Sequence, residues 1–361
     1  MNWLLVFVPA TLALHYLQPG AQTATFICAC LAIVPLAGWL GRATEHLAER
    51  TGDGVGGLLN ATFGNAAELI IAFAAMQRGL HDVVKASLTG SIVGNVLLVA
   101  GAAVVAGGLK FKVQKFKAAA ASSLSSLMLL AAIGLVCPAA FHYLAGPTAV
   151  YQEARMSLVI SSILLVAYAL SLVFSLHSHK QLFSAEAAEC AVVEEGVKHS
   201  WSLNKSLGIL ALSTALIAWV SEILVGSVEV AAHAFGMTNL FVGVIVVAIV
   251  GNAAEHSTAI LVAMKNRMDL SFSIAIGSSI QIALFVAPLL VVLSQFVGPR
   301  PMDLVFTPAE VLAVLVAVVL ITQVAGDGES NWLEGALLLS VYLILGIMFY
   351  FLPETAPVAV K

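Results

Sequence analysis

Gly64-Asn65-Ala66-Ala67-Glu68 and Gly251-Asn252-Ala253-Ala254-Glu255 are the same five residues, and both copies lie inside long apolar stretches. Each is followed, at an identical spacing, by a Gly-Ser pair: Gly90-Ser91 and Gly277-Ser278. The register that carries Gly64 onto Gly251 also carries Asp82 onto Asp269, and Leu97, Val99 and Ala100 onto Leu284, Val286 and Ala287. The chain is an internal duplication whose repeated letters include an acid. A carboxylate near a bilayer midplane costs at least ~2.5–3.5 kcal/mol on insertion scales, so it must face protein, water or an ion. One acid per half of a duplicated membrane protein is the pattern of a two-fold symmetric ion site, which points to a transporter.

The membrane follows from composition. Sixty per cent of the 361 residues are hydrophobic, 10% are charged and mean hydropathy is +1.01, more apolar surface than a soluble core of this length needs. The net charge of −4 says little about partners, and no basic cluster with interleaved aromatics supports nucleic-acid binding. Cys28, Cys30, Cys137 and Cys190 show no Cys-x-x-Cys spacing and read as free thiols. The first segment lacks the basic start and cleavage pattern of a signal peptide.

A spanning helix needs roughly 20 mostly apolar residues to cross about 30 Å of hydrocarbon. On that ruler the chain is an all-α polytopic membrane protein with about eleven spans, over 2–18, 22–41, 55–78, 82–108, 118–144, 156–177, 205–224, 238–264, 270–297, 304–324 and 331–352. The segment from Ser221 to Phe235 either extends the seventh span or forms a separate amphipathic piece. With the N-terminus inside, eleven of the sixteen Lys and Arg residues fall on the cytoplasmic side, the Lys110–Lys117 cluster foremost. The expected orientation is therefore N-terminus inside and C-terminus outside. Residues 1–18 form an N-terminal helix, 22–178 a first five-helix repeat, 179–204 an acidic cytosolic linker and 205–361 a second five-helix repeat. Five is odd, so the second repeat enters the membrane from the opposite side, an inverted repeat that lets one site face alternate sides.

Glu68 and Glu255 are the leading ion-site candidates. Together they offer a charge of −2 and four oxygens, and desolvation disfavours the charged form of any carboxyl, which suits such a pair to carrying protons as well. A hard divalent cation such as Ca²⁺ takes six to eight oxygens, so amides, hydroxyls, carbonyls or water must complete its shell. Asn65 and Asn252 each stand three residues before a glutamate, on the same face of a helix, as ligands or as interhelical hydrogen-bonding groups. Gly64 and Gly251, one turn from the glutamates, permit close helix approach or a bent backbone. Ser91 with Asn95, and Ser278 with Gln281, give each half one hydroxyl and one amide on a shared face. Glu45 and Glu222, in the similar dipeptides Thr44-Glu45 and Ser221-Glu222, lie near span ends, as lining of an access path or as interfacial helix ends. His256 follows Glu255 on a different face, as a hydrogen-bonded structural residue or a proton-linked one. Asp82 and Asp269 precede apolar runs and are expected to cap the helices that follow. Glu186, Glu189, Glu194 and Glu195 form an acidic face in the linker that can attract cations or simply be solvated.

With these residues quoted, the chain resembles the calcium/proton exchangers of the calcium/cation antiporter superfamily. The likeness rests on Leu58 to Glu68 with Gly90-Ser91-Ile92, and on Gly251 to His256 with Gly277 to Phe285, which look like the family's paired signature motifs. It implies one non-repeat helix, two inverted five-helix halves and an acidic cytosolic segment between them, and export of cytosolic Ca²⁺ in exchange for protons. It implies that Glu68 and Glu255 act as both cation ligands and proton sites. Sodium-coupled relatives carry Pro-Glu or Asp-containing versions of the motifs, which neither copy has, so protons are the expected driving ion. A sodium- or potassium-for-proton antiporter on the same scaffold is the alternative. No enzyme motif is present, and no cofactor is expected beyond the transported Ca²⁺ and H⁺. The expected surroundings are a lipid bilayer, here a prokaryotic cytoplasmic membrane; a homo-oligomer stays open.

Overall fold

In hydrocarbon each backbone N–H and C=O must find a partner within its own segment, and an apolar run meets that demand as a helix. The computed structural model describes residues 2–51, 53–145, 150–179 and 201–353, and these are overwhelmingly helical. In chain order the helices are α1 (Asn2–Leu17), α2 (Gln22–Thr51), α3 (Asp53–Phe63), α4 (Ala66–Gln77), α5 (His81–Gly108), α6 (Ala118–Ala145) and α7 (Tyr151–Ser178). They continue with α8 (Leu203–Ala234), α9 (Asn239–Gly251), α10 (Ala253–Ala263), α11 (Met268–Leu293), α12 (Pro308–Val324) and α13 (Trp332–Phe351). Among the described residues, α2, α5, α6, α7, α8, α11 and α13 are each long and apolar enough to cross a membrane. The pairs α3–α4 and α9–α10 pass the same test if each counts as one span, and α1 and α12 are shorter apolar helices. α5 and α11 are the most enclosed, whereas α7 and α13 leave most of their apolar surface exposed, a distribution that suits a hydrocarbon surround better than water.

Two spans that the sequence predicts as continuous, 55–78 and 238–264, are broken at the repeated motif. α3 and α4 meet at 43°, and α9 and α10 at 62°. Glycine is a poor helix former, and the residue after it, Asn65 or Asn252, leaves helical geometry with φ/ψ of −103°/28° and −93°/6°. Asn65 and Glu68 are therefore not neighbours on one unbroken helix: each asparagine is the N-cap of a new helix, and each glutamate lies in that helix's first turn. The positive end of a helix dipole favours an acid there. α5 and α11 each contain a π-helical stretch at matching positions of the repeat, Gly94–Val99 and Ile282–Val286. α9 has a third, Val242–Val247, where α3 is regular.

Contacts between connecting segments gather at two ends. At one, the short strands β1 (Gln114–Lys115) and β2 (Glu329–Ser330) pair antiparallel, Gln114 Nε2 donates to Ala263 O at 2.9 Å and Lys117 N to Asp269 Oδ1 at 2.6 Å. At the other, Lys85 Nζ donates to Asp303 Oδ1 at 2.6 Å and to Val305 O at 2.8 Å. Leu304 N donates to Ser157 Oγ at 3.0 Å, and buried Glu310 closes a capping box with Thr307 at the start of α12. The register of the repeat maps Lys85 onto Phe272 and Phe116 onto Asp303. Where one half holds an ion pair, the other holds the Phe116–Phe272 edge-to-face pair, with centroids 4.8 Å apart at 87°.

One expectation is corrected and one open alternative is decided. Asp82 and Asp269 are second residues of their helices and make no side-chain cap; Asp269 instead accepts from Lys117, which pins the α5–α6 connection. The Ser221–Phe235 segment is no separate piece, since α8 runs unbroken to Ala234.

Lys85 is largely buried, while the Asp303 side chain is 36% exposed. Replacing Lys85 with Met removes the cation from a partly solvated pair, and we expect about 2 kcal/mol of destabilisation, between surface and buried ion pairs. Lys85→Met with Asp303→Leu should recover part of it. Thermal unfolding of the purified protein in detergent checks both.

Candidate functional site

The two helix breaks face each other across α5 and α11, and each asparagine cap directs its side chain to the opposite half and not to the helix it begins, with Asn252 Nδ2 donating also to Ala248 O of α9 at 2.9 Å. Neither Asn65 nor Asn252 makes a side-chain cap bond. Asn65 Nδ2 donates to Gln281 Oε1, and Asn65 Oδ1 accepts from Ser278 Oγ at 2.8 Å; both partners lie on α11. Asn252 Nδ2 donates to Ser91 Oγ at 3.0 Å, and Asn252 Oδ1 accepts from Asn95 Nδ2 at 3.2 Å; both partners lie on α5. Asn95 Nδ2 also reaches Ser278 Oγ at 3.0 Å, which joins the two crossed sets. His256 Nε2 stands 3.1 Å from Asn95 Oδ1. Each amide in this net is buried or half-buried, as hydrogen-bonded polar groups in an interior must be.

The glutamates sit inside this net. Glu68 is 7% exposed, and Glu255 is half-buried. Gly251, one turn before Glu255, lies against Glu68, where an added Cβ would come 3.5 Å from its Cγ and Oε1. Oε2 of each glutamate is buried without a hydrogen bond from the protein. A buried carboxylate oxygen left unpaired is costly, and a cation or a proton relieves that cost. Gly64 faces Gln281 Oε1 in the same way, with an added Cβ at 3.4 Å.

The structure thus brings together Glu68, Glu255, Asn65, Asn252, Ser91, Ser278, Asn95, Gln281, Gly64, Gly251 and His256. It does not bring Glu45 or Glu222 into the net: both are exposed, on helices that continue beyond them to Thr51 and Ala234. The buried member of each dipeptide is the hydroxyl, Thr44 at 1% and Ser221 at 0% exposure. Helical periodicity carries that signal, since Ser221 falls on one face with Ile217, Leu224 and Val228, all fully enclosed. Glu186, Glu189, Glu194 and Glu195 lie outside the described residues.

The two halves close differently around the site. A Cβ on Gly90 of α5 would fall 1.9 Å from Val244 O of α9, and Ala86 crowds Gly243 of α9 in the same way. The matching Gly277 of α11 has nothing within 4 Å. α3 packs instead on α2 and the end of α7, through Gly56 against Ala48 O and Gly57 against Leu176. Polarity follows the same division. α3 and α10 carry exposed Asn60, Ser257 and Thr258, whereas the matching Val247, Ile70 and Ile71 of α9 and α4 are apolar and buried or half-buried.

Comparison with known proteins places this geometry. The family described as sodium/calcium exchanger protein matches the chain over residues 21–177 and 205–351. A Ca(2+)/H(+) antiporter from Synechocystis is 47% identical over 364 residues, covering 97% of this chain and 96% of its own length. The Ca(2+)/H(+) antiporter ChaA of Bacillus subtilis is 45% identical, covering 91% of this chain and 92% of its own. The solved structure of native YfkE superposes with a TM-score of 0.82 at 40% identity, covering 96% and 98% of the two chains. That of the H+/Ca2+ exchanger CAX superposes at 0.66 with 15% identity and shares the fold.

Gly→Ala inside a helix is ordinarily favourable by up to about 1 kcal/mol. Gly277→Ala has room and should leave the thermal midpoint unchanged or slightly raised. Gly90→Ala forces a Cβ into the α9 backbone and should lower stability by about 3 kcal/mol or more. Unfolding of the two variants in detergent compares them directly.

Proposed function

Because the chain belongs to the sodium/calcium exchanger protein family, we propose that it exchanges Ca²⁺ for protons across a membrane, with Glu68 and Glu255 as the common site of both ions. The observation that carries this reading is the pair of carboxylates at the helix breaks, each with an enclosed oxygen that no protein group satisfies. The names of the relatives support it, since those at 45–47% identity are Ca(2+)/H(+) antiporters.

The chemistry fits a shared site. Two carboxylates, Asn65 Oδ1, Asn252 Oδ1 and the serine hydroxyls form an all-oxygen set of the kind Ca²⁺ prefers, with waters completing six to eight ligands. One Ca²⁺ or two protons neutralise the pair, whereas the empty pair carries −2. A neutral assembly crosses a low-dielectric barrier far more readily than a charged one. Exchange follows from that difference alone, because only loaded states move.

The alternation we propose uses one N-terminal helix and two inverted five-helix halves. With the N-terminus in the cytoplasm, the connections at 109–117, 264–267 and 325–331 fall inside, and those at 78–80 and 294–307 fall outside. The bonds among connecting segments respect that division. On this topology α3 and α10 are cytoplasmic half-helices. Their exposed polar residues and the open space beside Gly277 then give a site that opens to the cytoplasm, while α9 seals the outer side against α5. In a prokaryotic cytoplasmic membrane this serves Ca²⁺ export.

The test is transport by reconstituted vesicles under an imposed pH gradient, with Ca²⁺, Mn²⁺, Na⁺ and K⁺ compared. Ca²⁺-dependent proton movement is expected in the wild type and background rates in Glu68→Gln and Glu255→Gln; exchange retained in both variants would overturn the assignment. Since both ions compete for one site, the KM for Ca²⁺ should rise as the cytoplasmic-side pH falls, with the rate at saturating Ca²⁺ preserved.

A further inference from the structure

A small apolar cavity on the outer side of the site is lined by Ile71 and Ala72 of α4, Ser87 of α5, Val247 of α9, and Leu224 and Val225 of α8. One helical turn, about 5.4 Å, leads from each of these elements to a second layer. On α4 the step from Ile71 or Ala72 reaches Glu68, on α9 the step from Val247 reaches Gly251, and on α5 the step from Ser87 reaches Ser91. Direct contacts bind these three into one layer, because Gly251 lies against Glu68 and Asn252 bonds Ser91. On α8 the same step from Leu224 or Val225 reaches Ser221. The direction of the step on α8 is fixed by its other side, where Gly226 meets the Arg78 guanidinium and Glu229 lines a cleft with Arg78 and Leu80, just beyond α4.

Ser221 is fully enclosed, and its hydroxyl has no hydrogen-bond partner in the protein. Glu68 Oε2, in the same layer, has none either. They stand on helices that pack together, α4 and α8, and in this conformation they do not bond to each other. We infer that Ser221 is a positioning residue of the cation site: when the site is loaded, its hydroxyl donates to the Glu68 carboxylate and holds it toward the ion. The inference rests on the proposed exchange at Glu68 and Glu255 and adds a fourth element, α8, to a site built from the helix breaks, α5 and α11. In the register of the repeat Ser221 corresponds to Val34, and the buried hydroxyl of the similar dipeptide on α2, Thr44, is already committed to Leu40 O at 2.9 Å, so the two glutamates are held unequally.

The experiment measures Ca²⁺-driven proton movement in reconstituted vesicles for the wild type, Ser221→Ala and Ser221→Thr, with the thermal midpoint of each. Loss of a hydrogen bond to a charged group is a factor of about ten or more. Ser221→Ala should therefore raise the KM for Ca²⁺ about tenfold while the rate at saturating Ca²⁺ stays within about twofold. Ser221→Thr, which keeps the hydroxyl, should restore the KM. Stability separates function from packing: alanine removes an unpaired buried hydroxyl and improves helix propensity, so the midpoint of Ser221→Ala should not fall. A wild-type KM in Ser221→Ala, or a loss in Ser221→Thr equal to that in Ser221→Ala, overturns the inference. Absence of Ca²⁺-driven proton movement in the wild type instead overturns the exchange reading on which it stands.

Discussion

Two carboxylates among apolar helices, each with an enclosed oxygen that no protein group satisfies, constrain the structure around them. Each needs polar company that an unbroken helix cannot supply, because a helix consumes its own backbone groups. The chain breaks two helices at the point of need. The breaks aim the positive ends of α4 and α10 at the glutamates and free Asn65 and Asn252 from capping their own helices. Those side chains then cross to the other half, and Ser278, Gln281, Ser91 and Asn95 receive them. The hydrogen bonds around the glutamates are thus the ones that tie the two halves together, so on the proposed function ion binding and the relative position of the halves share the same groups.

That sharing accounts for the unequal closure. Gly90 lets α9 come within backbone contact of α5, and Gly277 is the same residue in the same motif with empty space before it. One sequence device serves as a close-approach point in one half and stands open in the other. On the proposed topology the difference is the conformation itself: were α3 to approach α11 as α9 approaches α5, the roles of the halves would exchange. Polarity is distributed to match, since hydroxyls and amides are placed where water reaches and valine and isoleucine where it is excluded.

Much of this was legible in the sequence because duplication and hydropathy leave strong marks. The repeated Gly-Asn-Ala-Ala-Glu identified the residues that the structure gathers, and the Gly-Ser pairs identified the helices that receive them. The breaks were less legible, as glycine in an apolar run equally signals close packing, and only the turn geometry of Asn65 and Asn252 decides. In Thr44-Glu45 and Ser221-Glu222, charge drew attention to the acid while helical periodicity placed the hydroxyl inside. Asp269 read as a cap because short-range pattern is local, whereas its partner Lys117 is 152 residues away. The Lys85–Asp303 pair escaped for the same reason, as each residue alone reads as a solvated charge near a helix end.

That pair has a consequence for how the two ends of the molecule respond to their surroundings. At matching points of the two repeats one joint is ionic, Lys85 with Asp303, and the other is aromatic, Phe116 with Phe272. Dissolved salt weakens a partly exposed ion pair by screening and leaves contact between rings almost untouched, whereas cooling weakens apolar association. Salt and temperature therefore act on opposite ends of the molecule. A duplicated protein has acquired two joints, at matching points of its repeats, that answer to different physical conditions.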